Sequence, residues 1–158
     1  MQGDPRIIDL LNQFLRKELT GINQYFIHSR MCKNWGYAVL EKVNYQESIE
    51  EMQHADQLIQ RILFLEGVPN LSDYDPILVG RTVREQIDSD LALEMGALAM
   101  LRPGIQLCVE AGDYATRDLL ECILKDEEHH VDWLEAQKHK INEVGYDSYL
   151  AQQIYHRD

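Results

Sequence analysis

The chain has 158 residues, 45% of them hydrophobic, which is enough for one packed domain over residues 1–158 and little beyond it. Its 27 acids against 15 bases leave a net charge of −12, which argues against nucleic acid as a partner and suits cations. Cys32, Cys108 and Cys122 form no C-x-x-C pair, so they read as reduced thiols of a cytoplasmic protein rather than a disulfide frame or a zinc site.

The first residues, Met1-Gln2-Gly3-Asp4-Pro5, have neither the basic nor the apolar region of a secretion signal. No stretch is read as the ~20 apolar residues of a membrane span, so no membrane partner is expected. Asp4-Pro5 has the form of an N-cap followed by N1. Ile7, Leu10, Leu11, Phe14, Leu15, Ile22, Phe26 and Ile27 then recur at helical spacing, predicting a helix to about Lys33 that breaks at Asn34-Trp35-Gly36. A second helix opens near Tyr37 or Ala38 and carries Leu40, Val43, Ile49, Leu58, Ile62 and Leu65. It ends at Gly67-Val68-Pro69.

Residues 67–81 form a fifteen-residue connection, long enough to cross a bundle. Its Leu71, Tyr74, Ile77, Leu78 and Val79 predict that it packs along the surface. The third helix runs from about Thr82 to Ala111, with Pro103 predicted to kink it or loosen one turn. After Gly112 a fourth helix runs from Asp113 to about Val144, ended by Gly145, and a short helix covers Tyr146 to about Ile154. The expected fold is all-α: a four-helix bundle with one long crossover and a short C-terminal fifth helix.

Two Glu-x-x-His pairs stand out, Glu51/His54 and Glu127/His130. Residues three apart share a helix face, so each pair can offer a carboxylate and an imidazole to one metal. Alone, such a pair arises often by chance. Measured from the turn glycines, however, the two hairpins match. Glu18 lies 36 − 18 = 18 residues before Gly36, and Glu51 and His54 lie 15 and 18 after it. Glu94 lies 112 − 94 = 18 residues before Gly112, and Glu127 and His130 lie 15 and 18 after it. Equal offsets in antiparallel hairpins mean equal height. Each hairpin therefore sets a lone Glu opposite a Glu-x-x-His, with pseudo-two-fold symmetry between them.

All four acids interrupt apolar stripes: Leu11, Leu15 and Ile22 around Glu18; Leu40, Leu58 and Leu65 around Glu51 and His54; Ile87, Leu91, Leu98 and Leu101 around Glu94; Ile123, Leu134 and Ile141 around Glu127 and His130. Buried carboxylates are costly unless paired or metal-bound. Four carboxylates and two imidazoles suit iron or manganese, and the symmetry implies two metals, each with one His, one terminal Glu and bridging Glu. A pair of iron(II) ions can reduce O₂ or peroxide in two-electron steps. Tyr25, seven residues beyond Glu18, is placed to hydrogen-bond a ligand or donate an electron, or simply to pack in the core. The competing pair Asp126/His129 lies about 100° round the helix from the apolar stripe and is assigned to the solvated or subunit-facing side.

The chain resembles the bacterioferritins, the haem-binding branch of the ferritins. The likeness runs from Met1-Gln2-Gly3-Asp4 to Tyr149-Leu150. It includes Glu18-Leu-Thr-Gly-Ile-Asn-Gln-Tyr25, Glu47 to Asp56, Arg61 to Gly67, Ser89 to Glu94 and Asp126-Glu-Glu-His-His-Val-Asp-Trp133. The resemblance implies a ferritin-like fold with a di-iron ferroxidase centre at Glu18, Glu51, His54, Glu94, Glu127 and His130. Fe(II) would be oxidised there by O₂ or H₂O₂, and ferric mineral stored inside a 24-subunit shell. That shell is either a homo-oligomer or a mixed assembly with a second subunit type. The resemblance further implies haem b at a two-fold interface, ligated by Met52 of each subunit, with Ile22, Asn23, Phe26 and Ile49 as pocket walls, and a ferredoxin as electron donor for iron release. Similar proteins carry His and Asp at Gln46 and Glu50, where they bind iron on the inner surface; Glu50 keeps a carboxylate and Gln46 loses the imidazole. Asn34, Glu66 and Asp132 resemble residues lining a shell pore, with His139 where a further acid is expected. A rubrerythrin-like peroxidase is the rival enzyme reading, weakened by the lack of a C-x-x-C segment, and a haem-carrying shell subunit with an idle metal site is the non-enzymatic rival.

Overall fold

Long helices and short polar breaks set the architecture of the computed structural model, which describes residues 1–155. The domain expected over 1–158 thus has its last three residues outside the described ones. Helix α1 spans Pro5–Trp35, α2 Ala38–Phe64, α3 Val83–Ala111, α4 Tyr114–Val144 and α5 Tyr146–Ala151. The described residues contain no strand, so the all-α expectation holds.

Local chemistry explains the ends. The Asp4 carboxylate accepts from the backbone N–H of Arg6, with Pro5 at N1. Thr82 Oγ1 accepts from Glu85 N–H, and Asp113 caps α4 through Thr116 N–H. Gly36 and Gly112 close α1 and α3 at φ 85° and 72°, the left-handed conformation that a side chain would disfavour. These two tight turns fold α1 back on α2 and α3 back on α4. Helix α1 also packs against α3, and α5 lies on α4. Helix α5 is shorter than expected, ending at Ala151 rather than near Ile154. Helix α3 continues unbroken through Pro103, which removes one N–H from the ladder without ending the helix. By length and composition alone, α3 could also cross a membrane, with a window of mean hydropathy 1.2, contrary to the expectation from sequence. In the fold it pairs with α4 and α1 and carries the buried acids Asp90 and Glu94.

The crossover lies along α1 and is tied to one row of its residues. Asn12 Oδ1 accepts from Asn70 N–H, and Arg16 Nε and Lys17 Nζ each sit 2.9 Å from an Asp75 carboxylate oxygen. Thr20 Oγ1 accepts from Asp75 N–H, Gln24 Oε1 from Leu78 N–H and His28 Nε2 from Gly80 N–H. Positions 12, 16, 20, 24 and 28 are four apart, so they form one stripe on α1. The non-helical strap has no ladder of its own, and this row satisfies its backbone donors.

The interior is two apolar clusters separated by a polar layer. One gathers Ile7, Leu11, Phe14, Leu15, Leu58, Ile62, Leu101, Cys108, Leu120 and Ile123. The other gathers Cys32, Leu40, Val83, Ile87, Leu134, Ile141 and Tyr149. Between them come Glu18, Glu51, His54, Glu94, Glu127 and His130, all at most 3% exposed.

Candidate metal centre

Each of the four main helices contributes to this layer: Glu18 from α1, Glu51 and His54 from α2, Glu94 from α3, Glu127 and His130 from α4. Ligand-type atoms of Glu18, Glu51, His54 and Glu127 lie within 4.8 Å of one another, as do those of Glu51, Glu94, Glu127 and His130. Glu51 and Glu127 belong to both groups, which makes them the shared pair. Glu18 with His54, and Glu94 with His130, form the two ends.

The imidazoles turn Nδ1 inward. His54 Nδ1 is 3.2 Å from Glu127 Oε1 and 3.4 Å from Glu18 Oε2. His130 Nδ1 is 3.6 Å from Glu51 Oε1 and Glu94 Oε1. None of these approaches is a formed hydrogen bond. Both oxygens of Glu18, one each of Glu51, Glu94 and Glu127, and Nδ1 of both histidines are buried without a partner. Buried polar atoms are almost always satisfied. Seven orphans converging on one spot mark a place built for cations, and the oxygen-rich donor set with two nitrogens fits iron or manganese.

The titration of the layer reflects its crowding of acids. Burial raises the pKa of Glu18, and the charge of Glu127 adds to it. Burial, with the charges of Glu18 and Glu127, pushes Glu51 well above the ordinary carboxylate range. Burial disfavours imidazolium, but the surrounding carboxylates outweigh it, and His54 and His130 are each pushed up to about 11. Burial also opposes ionisation of Glu127, yet the imidazoles of His130 and His54 beside it hold it down at about 2.

Tyr25 is buried beside the centre, and its hydroxyl donates to Glu94 Oε1 at 2.6 Å. Burial, reinforced by the charges of Asp90, Glu51, Glu47 and Glu127, raises its pKa, so it stays a neutral donor. Gly21, one turn from Glu18, lets Glu51 approach α1: a Cβ there would sit 2.9 Å from Glu51 Oε2. Glu50 is half-buried, and its Oε2 accepts from His130 Nε2–H at 3.0 Å. Met52 lies away from the centre on an exposed apolar face with Phe26 and Ile49. Of the other pocket-wall residues, Ile22 is half-buried and Asn23 exposed; Asn34, Gln46, Glu66, Asp132 and His139 are also exposed.

The pair assigned to the solvated side is solvent-accessible, but one member also serves the centre. His129 is exposed, but Asp126 reaches back across the bundle, and His54 Nε2–H donates to its Oδ2 at 2.8 Å. A one-helix projection misses a residue that serves the neighbouring helix. Glu47 is a second residue absent from the expected site, with Oε2 2.6 Å from His130 Nε2. A third group is the buried network of Gln24, His28 and Asp90. Gln24 Nε2–H donates to Asp90 Oδ1 at 2.9 Å, and His28 Nδ1 lies 3.0 Å from the same oxygen.

Four carboxylates and two imidazoles, drawn from all four helices of a bundle with a long crossover, define a ferritin-like di-metal carboxylate protein. A family model described as ferritin-like domain matches residues 8–144. The chain is 46% identical over 152 residues to the bacterioferritins of Mycobacterium bovis and to bacterioferritin BfrA of Mycobacterium tuberculosis H37Rv, covering 96% of each chain. It is also 46% identical over 145 residues to a bacterioferritin of Rhodobacter capsulatus, covering 92% of this chain and 90% of that one. The chain belongs to the bacterioferritin family, and its buried carboxylate–histidine cluster is that of a ferroxidase.

Proposed function

We propose that this chain is an iron-storage subunit that binds two Fe(II) ions at Glu18, Glu51, His54, Glu94, Glu127 and His130. It oxidises them with O₂ or H₂O₂ and delivers ferric product to the interior of a 24-subunit shell, built from this chain alone or with a second subunit type. The observation that carries the reading is the convergence of the seven partnerless buried atoms. Two Fe(II) ions bring four positive charges to four carboxylates, so loading neutralises the layer once the imidazoles give up their protons. As substrate, the iron pair supplies two electrons at once, matching the two-electron reduction of O₂ to peroxide or of H₂O₂ to water. The protein's part is to hold the pair. Glu51 and Glu127, which belong to both groups, would be shared by the two ions, Glu18 and Glu94 would each serve one, and Tyr25 fixes the Glu94 carboxylate through its hydroxyl.

An anaerobic Fe(II) titration should saturate at two ions per chain. Glu94→Ala and Glu127→Ala should abolish fast oxidation and leave the shell assembled, as read by stopped-flow absorbance and size-exclusion chromatography. Unchanged oxidation in both variants would sink the assignment.

The exposed apolar face of Met52, Phe26 and Ile49 supports a further element, haem b held across a two-fold interface by Met52 of each subunit. That haem supplies a one-electron redox group, and a ferredoxin fits as donor for reductive iron release. Met52→Leu should remove the bis-methionine haem spectrum; its retention would take Met52 out of the haem site. Three unpaired cysteines suit a reducing compartment, which supports the reading of a cytoplasmic protein.

A further inference from the structure

Each histidine of the centre has an outward nitrogen, and what holds it follows the same pseudo-symmetry as the ligands. Glu50 lies 50 − 36 = 14 residues after Gly36, and Asp126 lies 126 − 112 = 14 after Gly112. The two are equivalent positions, each four residues before the histidine of its own helix. Neither holds that histidine. Asp126 on α4 accepts from His54 Nε2–H of α2 at 2.8 Å, and Glu50 on α2 accepts from His130 Nε2–H of α4 at 3.0 Å. The acids thus cross over.

We propose that Asp126 and Glu50 form a reciprocal clasp of positioning residues, each fixing from the opposite helix the ring that presents Nδ1 to metal. This rests on the di-metal reading of the centre. An imidazole that binds through Nδ1 keeps its proton on Nε2 and needs an acceptor for it. Rotating the ring by 180° about Cβ–Cγ would bring a carbon to the metal and forfeit that hydrogen bond. The acceptor therefore selects both the tautomer and the rotamer.

The clasp is unequal. Asp126 is alone on His54, with its side chain 47% exposed. Glu50, at 36%, has Glu47, at 20%, beside it on His130. Each half thus has one formed hydrogen bond, and the His130 half has a second carboxylate within reach, Glu47 Oε2 at 2.6 Å from Nε2 without a formed hydrogen bond. Asp126, with no such neighbour, is the more consequential single position.

The test is a Co(II) titration of the assembled, metal-free full chain, following the ligand-field absorption. The parent should bind two Co(II) ions per chain. Asp126→Ala should weaken one of them by about 10–100-fold, the usual effect of losing such an outer partner, and leave the other intact. Asp126→Asn, whose Oδ1 still accepts from Nε2–H, should recover most of the affinity. In a His54→Ala background, Asp126→Ala should have no further effect, because it acts through that ring. Glu47→Ala with Glu50→Ala should weaken the other ion. Should Asp126→Ala fail to assemble, Asp126→Leu carries the same measurement. A parent binding fewer than two ions defeats the di-metal reading and the clasp with it. A parent binding two, with Asp126→Ala at parental affinity for both, overturns the clasp alone. So does a variant that weakens both ions alike without rescue by Asn, since general surface charge would account for it.

Discussion

Gly21→Ala separates the stability of the fold from the competence of the centre, because the two should move in opposite directions. Gly21 sits in the middle of α1, where alanine gains roughly 0.5–1 kcal/mol in helix stability over glycine. In a domain of this size that corresponds to a rise of roughly 1–4 °C in melting temperature. The added Cβ would stand 2.9 Å from Glu51 Oε2 and 3.3 Å from its Cδ and Cγ. The close atom is the tip of a side chain, so the conflict is relieved by rotating the carboxylate rather than by moving helices. Glu51 is shared by both metal-holding groups, and its displacement reaches both ends of the centre. A misplacement approaching 1 Å can cost about 100-fold in rate. The expected outcome is a metal-free protein as stable as the parent or more so, oxidising Fe(II) about 10–100-fold more slowly. Thermal melting and stopped-flow absorbance read the two quantities. A parental oxidation rate in a stable variant would refute the placement of Glu51 as a bridge that depends on the bare α1 backbone.

Metal binding should release protons at neutral pH. Both imidazoles are pushed up to about 11 in the metal-free layer and must deprotonate to coordinate, so affinity rises with pH below that value. Anaerobic calorimetry in buffers of different ionisation enthalpy should show at least the two imidazole protons released per metal pair, and no buffer dependence would contradict the charge balance. Gln24→Leu should loosen the crossover: it strips the acceptor from the part-buried Leu78 N–H and the donor from the buried Asp90 carboxylate, the latter at about 1–3 kcal/mol. A lower melting temperature with two metals still bound per chain is the expected result, whereas unchanged melting would mean the strap is held elsewhere.

The bundle was legible in the sequence because its punctuation is chemical. Pro5, Gly36, Gly112 and Gly145 bound apolar stripes of period 3.6, and the fifteen residues between the hairpins could only be a crossover. The six residues of the polar layer were legible as a set because equal distances from two turns translate into equal heights. What lay hidden involves a neighbour. The row Asn12, Arg16, Thr20, Gln24 and His28 is visible as a polar stripe, but nothing local says that a strap lies on it. Asp126's contact with the centre is hidden because its own helix points it toward solvent while its partner His54 belongs to α2. Met52 faces away from the centre, and only family resemblance gave it a role.

The binary pattern of the bundle is broken at one level, and the same level gathers the compensations. A row of buried acids between two apolar clusters destabilises the fold through desolvation and mutual repulsion. Protons on His54 and His130 offset part of that repulsion. Tyr25 ties Glu94, Gly21 makes room for Glu51, and the outer carboxylates orient the imidazoles. Each compensation constrains a ligand atom without neutralising the layer. The layer is therefore preorganised for cations and under-satisfied until they arrive, so the energy withheld from folding becomes available for metal binding.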